Sequence, residues 1–192
     1  MTIYSWLILM LWLILVAYWA VLAAGAKKGI REARVWWREA ELRLGVFVLV
    51  VIASRIPGVR QALRHARAHA AGISTLTGVI GVVLCALGVA FAIWARLHLG
   101  RNWGMPMSRK ERPELVTTGP YSLVRHPIYA GMILAMLGSA VAQSLFWLAP
   151  LVLGGAYFTY SARSEERLMT EQFQDQYPPY KKRTKMFVPF IL

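Results

Sequence analysis

Thirteen residues, Gly119-Pro120-Tyr121-Ser122-Leu123-Val124-Arg125-His126-Pro127-Ile128-Tyr129-Ala130-Gly131, place an Arg-His pair, two tyrosines and prolines where a polar segment meets a long apolar run. Proline at the first position of a helix has its φ preset and needs no hydrogen-bond acceptor, so Pro127 predicts a helix start. The unpaired N–H groups and positive dipole end of such a start favour an anion. Arg125 and His126 add donors at the same place, so a carboxylate or a phosphate is the expected ligand. A basic membrane anchor with a helix cap has the same appearance. Tyr129 falls about one turn after His126 and shares its face. It and Tyr121 can stack on a purine or a sulfonium, or belong to an interfacial aromatic belt.

A second constellation is Glu165-Glu166, expected at the end of the last apolar helix. Carboxylates there oppose the helix dipole. Their expected partners are ribose hydroxyls, a cationic ligand, or the neighbouring Arg163 and Arg167. The tail Tyr177-Pro178-Pro179-Tyr180-Lys181-Lys182-Arg183 closes over such a site or docks on anionic lipid, and the apolar end from Phe187 to Leu192 is expected to return to the membrane surface. His98 stands where it can join the same loop. The single cysteine, Cys85, forms no intrachain disulfide, and with scattered histidines it offers no metal site. No G-x-G-x-x-G after a strand, P-loop, H-E-x-x-H or G-x-S-x-G is present, which argues against a soluble nucleotide-binding fold.

The elements that must position these residues are read from the apolar runs. The chain has 192 residues, 57% of them hydrophobic, above the roughly 45–50% of a soluble domain. Uncharged runs cover Ile3 to Ala26, Ala70 to Ala95 and Pro127 to Ala162, 24, 26 and 36 residues long. A span needs about 20 residues, so the first two are one helix each. The third is a hairpin of two short helices turning near Gln143-Ser144, with Pro150 early in the second arm. Leu44 to Ser54, flanked by Arg43 and Arg55, spans only if those arginines snorkel. The expected fold is all-α: a polytopic membrane protein with about five transmembrane helices, a C-terminal hairpin and a cytoplasmic tail. Residues 1–96 hold the N-terminal spans, and residues 97–192 form the catalytic region. The first run lacks a preceding basic residue and is too long for a signal peptide, so it reads as a retained anchor.

The net charge of +13 follows the membrane rather than a nucleic acid. With the N-terminus outside, 18 basic residues face the cytoplasm and 4 face outward, and all nine acids fall inside. That bias matches the positive-inside rule. The expected setting is a multi-pass inner or plasma membrane protein with its site facing the cytoplasm. Anionic lipids are the expected partners there, and nucleic acid and metal are not. Trp36-Trp37 is an interfacial anchor, and Arg60 to His69 is a basic helix on the outer surface.

Together, Glu114-Leu115-Val116-Thr117-Thr118-Gly119-Pro120-Tyr121, the Arg125–Gly131 run, Glu165-Glu166 and Phe173, Tyr177, Tyr180-Lys181-Lys182-Arg183 and Pro189-Phe190 resemble the isoprenylcysteine carboxyl methyltransferase family. The resemblance covers about the last half of the chain. It implies an integral membrane methyltransferase that uses S-adenosylmethionine on a lipophilic or lipidated acceptor, with carboxyl O-methylation of an isoprenylcysteine-like substrate as the leading reading. By that resemblance Leu115, Val116, Tyr121, His126, Pro127, Tyr129 and Glu165 line the cofactor pocket, beside the anion-binding Arg125. Relatives acting on prenylcysteine carry an arginine about one turn before the Glu pair. Ser161 holds that place here, and Arg163 is the nearest basic residue, expected with Glu166 at the reacting groups. A carboxylate acceptor is already ionised near neutral pH and needs no general base, whereas an amine acceptor would need Glu166 or His126. A phospholipid or amine N-methyltransferase, an NADPH-dependent sterol-type reductase using Arg101, Arg109 and Arg112, and a non-catalytic lipid-binding protein are the alternatives.

Overall fold

The computed structural model describes residues 2–23, 29–30, 57–58, 61, 74–100, 109–110, 115–143 and 147–189. Five helices dominate them: α1 (Ile3–Ala23), α2 (Thr75–Leu99), α3 (Pro127–Gln143), α4 (Leu148–Gln172) and α5 (Tyr177–Arg183). A two-residue antiparallel ladder joins β1 (Gly29–Ile30) to β2 (Arg109–Lys110). The start of α2 is capped by Ser74, whose side chain accepts from the Thr77 N–H at 3.2 Å, as expected of an N-cap serine. The α2 helix ends at Gly100, which takes a φ of 52° that favours glycine. Pro127 opens α3 as its chemistry requires.

Among the described residues α2 and α3 pack most extensively against each other, and small residues make the close approach possible. Gly81 and Gly88 on α2 meet Gly131, Ala135, Gly138 and Ala142 on α3. A Cβ on Gly138 would lie 2.3 Å from the Cys85 backbone nitrogen, and one on Gly88 would lie 2.4 Å from that of Ala135. Each glycine pair is seven residues apart, so both fall on one stripe of their helix. Lipid tails are as apolar as leucine, so close van der Waals packing of this kind does much of the joining in a membrane. Gly138→Ala is therefore expected to cost about 1–3 kcal/mol through overpacking. Gly155→Ala, where an added Cβ would meet nothing within 4 Å, is the control. Equal thermal midpoints for the two variants in detergent would refute the crossing as described.

α1 completes this core. Ile8 and Leu15 pack with Cys85, Val89, Ala92, Ala135 and Ala142. Trp12 Nε1 donates to Ser139 Oγ at 3.0 Å, and that hydroxyl donates to the Ala135 carbonyl at 2.8 Å. Trp12 and Ser139 thus satisfy each other inside the bundle, as a low-dielectric interior demands. Large apolar side chains such as Val21, Leu76 and Leu153 point outward. α1 and α2 are long and apolar enough to cross a membrane, and α3 is a shorter apolar helix.

Leu44 to Ser54, Trp36-Trp37 and all of Arg60 to His69 except Gln61 lie outside the described residues. The division expected after residue 96 falls inside α2. Glu165 and Glu166 are not at a helix end. α4 continues to Gln172, almost two turns further, so the opposing dipole that made the pair look unfavourable is not what they meet.

Candidate active site

The site is built on a turn, an extended strip and the start of α3. Residues Gly119–Ser122 form a short 3₁₀ turn. Gly119 has φ +58°, and any Cβ there would lie 2.6 Å from the His98 ring, so glycine is needed on both grounds. His98, near the end of α2, holds the turn through Thr118 Oγ1 at 2.9 Å. Tyr180 of α5 donates its hydroxyl to the Tyr121 carbonyl at 2.6 Å. Val124 then bridges in parallel to Lys185. The Arg125 N–H donates to the Lys185 carbonyl at 2.8 Å, and the His126 N–H donates to that of Met186 at 3.1 Å. The residues after α5 therefore lie as a strap across the entrance to α3.

An ionic cluster closes around this entrance. Arg125 Nε donates to Glu166 Oε1 at 2.6 Å, and Lys181 Nζ stands 2.7 Å from Glu166 Oε2. The same arginine donates to the Thr184 carbonyl and, at 3.2 Å, to the Lys181 carbonyl. His126 faces both acids: Nδ1 is 3.5 Å from Glu165 Oε2 and Nε2 is 3.5 Å from Glu166 Oε1. Tyr129 donates its hydroxyl to Glu165 Oε1 at 2.5 Å. Glu166 is 4% exposed and Glu165 is 26% exposed, so Glu165 is the carboxylate open to a ligand. The rings stack in a column: His126 on Tyr129 at 5.6 Å and 5°, then Tyr129 on Phe158 at 5.0 Å and 17°. Met186 and Phe187 of the strap pack against the same cluster.

The charges follow from this geometry. Burial alone raises the Glu166 carboxyl, yet hydrogen bonds from His126, Lys181 and Arg125 bring it down to about 2. Burial works against a charged His126, but hydrogen bonds to Glu165 and Glu166 outweigh it and raise its pKa. Burial pushes the Tyr121 phenol up and the Tyr180 phenol up to about 12, so both stay neutral hydrogen-bonding groups.

The anion foreseen at the start of α3 is thus the chain's own Glu165-Glu166 pair. Its partners are Arg125, His126, Tyr129 and Lys181 in place of Arg163 and Arg167. Arg125 is engaged by Glu166, the Lys181 carbonyl of α5 and the Thr184 carbonyl of the strap. Tyr121 and Pro127 are buried beside the cluster, and Leu115 and Val116 are half-buried in the irregular segment before the turn. Arg163 is exposed. It lines a surface groove of about 580 Å³ with Arg167, Thr170, Gln174 and Lys181, one edge of which is Glu166. Sequence reasoning missed Phe158 and the strap carbonyl of Thr184. Phe158 stands seven residues before Glu165, two helical turns and therefore the same face, which is the signal that would have found it.

Residues 76–176, more than half of the chain, match the family described as phospholipid methyltransferase. The chain is 33% identical over 153 residues to the cobalt-zinc-cadmium resistance protein CzcN of Cupriavidus metallidurans, covering 77% of this chain and 63% of that protein. It is 34% identical over 115 residues to the nickel-cobalt-cadmium resistance protein NccN of Alcaligenes xylosoxydans xylosoxydans, covering 58% and 48%. It is 29% identical over 115 residues to protein-S-isoprenylcysteine O-methyltransferase B of Arabidopsis thaliana, covering 58% of each chain. The chain thus spans about half to two thirds of the length of these relatives. The matched segment runs through α2, α3 and α4 and holds the turn, the Arg-His-Pro entrance and both glutamates, so the chain belongs to the phospholipid methyltransferase family.

Proposed function

We propose that this chain is a multi-pass membrane methyltransferase that uses S-adenosylmethionine to methylate a lipophilic acceptor of the isoprenylcysteine type, with its site on the cytoplasmic side. The observation that carries this reading is the open carboxylate of Glu165, held by Tyr129 and His126 beside a column of aromatic rings. A partly exposed carboxylate suits the ammonium or ribose hydroxyls of the cofactor, and aromatic faces suit its sulfonium. Tyr121, Leu115 and Val116 complete the wall. The family and the name of the Arabidopsis relative support the same chemistry.

The cofactor supplies an electrophilic methyl group. With the cofactor held by Glu165, Tyr129 and His126, a carboxylate acceptor would leave as its methyl ester, or a thiolate acceptor as its methyl thioether, and the sulfonium donor would leave as a neutral thioether. The protein's part is to position the reactants and exclude water. Glu166 is a poor base, because its oxygens are taken by Arg125 and Lys181 and it stays ionised far below neutral pH. His126 likewise tends to keep a proton. Both facts favour an acceptor that arrives ionised or nearly so, and they recast Glu166 and Arg125 as positioning residues. Arg163, expected with Glu166 at the reacting groups, is exposed and lines the same surface groove as Glu166. The outward apolar faces of α1 and α2 support passage of a lipophile from the bilayer.

Titration of the detergent-purified protein with S-adenosylmethionine, S-adenosylhomocysteine and NADPH tests this reading by calorimetry. Saturable binding of both adenosyl ligands is expected, weakened at least tenfold in His126→Ala and Tyr129→Ala, which is about 1.4 kcal/mol. Binding of NADPH alone would replace the reading with a reductase, and binding of none would replace it with a non-catalytic role.

A further inference from the structure

One fully buried serine of α4 leaves its hydroxyl without a partner. A helical serine or threonine commonly turns its hydroxyl onto the carbonyl four residues earlier. Ser139, Thr159, Thr170 and Thr184 all do so, at 2.7–2.8 Å. Ser161 does not. It is 0% exposed, and its Oγ has no hydrogen-bond partner. Leaving such a group unpaired costs about 1–3 kcal/mol, and the ligand-free fold returns nothing for it.

The placement of this hydroxyl points to a ligand. Ser161 precedes Glu165 by four residues and so stands one turn away on the same face of α4. That turn lies on the side of the apolar stretch of α4, from which a lipophile arrives. Its neighbour on the face is Phe158, three residues earlier and stacked on Tyr129. Tyr129 in turn is bonded to Glu165. A single donor in an apolar and aromatic wall, one turn from the carboxylate assigned to the cofactor, is what a molecule with an apolar body and a compact polar head would need.

We propose that the Ser161 hydroxyl binds the polar head of the methyl acceptor, donating a hydrogen bond to a carboxylate or thiol carried on an apolar body. This rests on the methyltransferase reading. Ser161 is a binding residue, and it leaves the donor site untouched.

Ser161→Ala and Ser161→Thr test the assignment, with N-acetyl-S-farnesylcysteine and octanethiol as the carboxylate and thiol probes. Without ligand, Ser161→Ala is expected to melt no lower than wild type, because it removes an unpaired polar atom. With S-adenosylhomocysteine bound, its affinity for the probe that the wild type binds should fall about 5- to 20-fold, the worth of one hydrogen bond. The KM for that probe should rise with kcat little changed, S-adenosylhomocysteine affinity should stay within about twofold, and Ser161→Thr should recover probe binding. A lower melting temperature in Ser161→Ala, unchanged probe affinity, an equal loss of S-adenosylhomocysteine, or a wild type that binds neither probe would each overturn the proposal. Failure of the wild type to bind S-adenosylhomocysteine would instead sink the methyltransferase reading.

Discussion

Glu165→Gln is expected to lower affinity for S-adenosylmethionine by about 10- to 100-fold, the value of one charge-assisted hydrogen bond. Glutamine keeps the shape of the side chain and can still accept from Tyr129, while it loses the charge and the second acceptor oxygen that faces His126. The fold should hardly change, because Glu165 is 26% exposed and Glu166 keeps its own partners. The two adenosyl ligands divide the possibilities. S-adenosylhomocysteine has the same amino acid and ribose but no sulfonium. An equal loss for both ligands would place Glu165 against the ammonium or ribose, and a larger loss for S-adenosylmethionine would place it near the sulfonium. Unchanged affinity for both, measured by calorimetry, would remove Glu165 from the site.

Local chemistry made part of this legible in the sequence. Pro127 announced the start of α3 because its ring fits only a few backbone positions. The uncharged runs announced α1 and α2. The Glu pair was legible as a group in want of partners, but the partners themselves were not. Arg163 and Arg167 are close in sequence, whereas Arg125 lies 41 residues from Glu166 and meets it only because α3 packs against α4 and the strap folds back. Lys181 was one cation in a run of three, and nothing local separated it from Lys182 and Arg183. Phe158 looked like any other member of an apolar helix. The glycines of α2 and α3 carry a seven-residue spacing that is visible once the crossing is known, yet a spacing within one helix does not name the helix it will meet. Contacts set by tertiary packing stay hidden when the local pattern is compatible with several partners.

Arg125→Ala is expected to destabilise the protein by about 3 kcal/mol, because it removes the bond to Oε1 of the buried Glu166 carboxylate and leaves it only Lys181 and His126. It also removes the donors to the Thr184 and Lys181 carbonyls, so the strap loses its hold on the entrance to α3. A fall of roughly 10 °C in the thermal midpoint follows from that cost, together with loss of cofactor binding. The pH dependence of the wild type gives an independent check. Glu166 titrates below its unfolded value of about 4.3, so its contribution is complete above that value and is lost as pH falls from there toward about 2. His126 titrates above its unfolded value of about 6.5, so its contribution is complete below that value and is lost as pH rises through the raised pKa. Stability from this cluster is therefore greatest between about 4.3 and 6.5, where both contributions are present. Thermal midpoints measured across that range and beyond should show the plateau in the wild type. In Glu166→Gln the acid-side loss should vanish and the His126 contribution should shrink, since Glu166 is one of the two carboxylates that hold its proton. An Arg125→Ala protein that melts with the wild type, or an acid limb that Glu166→Gln leaves unchanged, would mean that the cluster does not hold the strap.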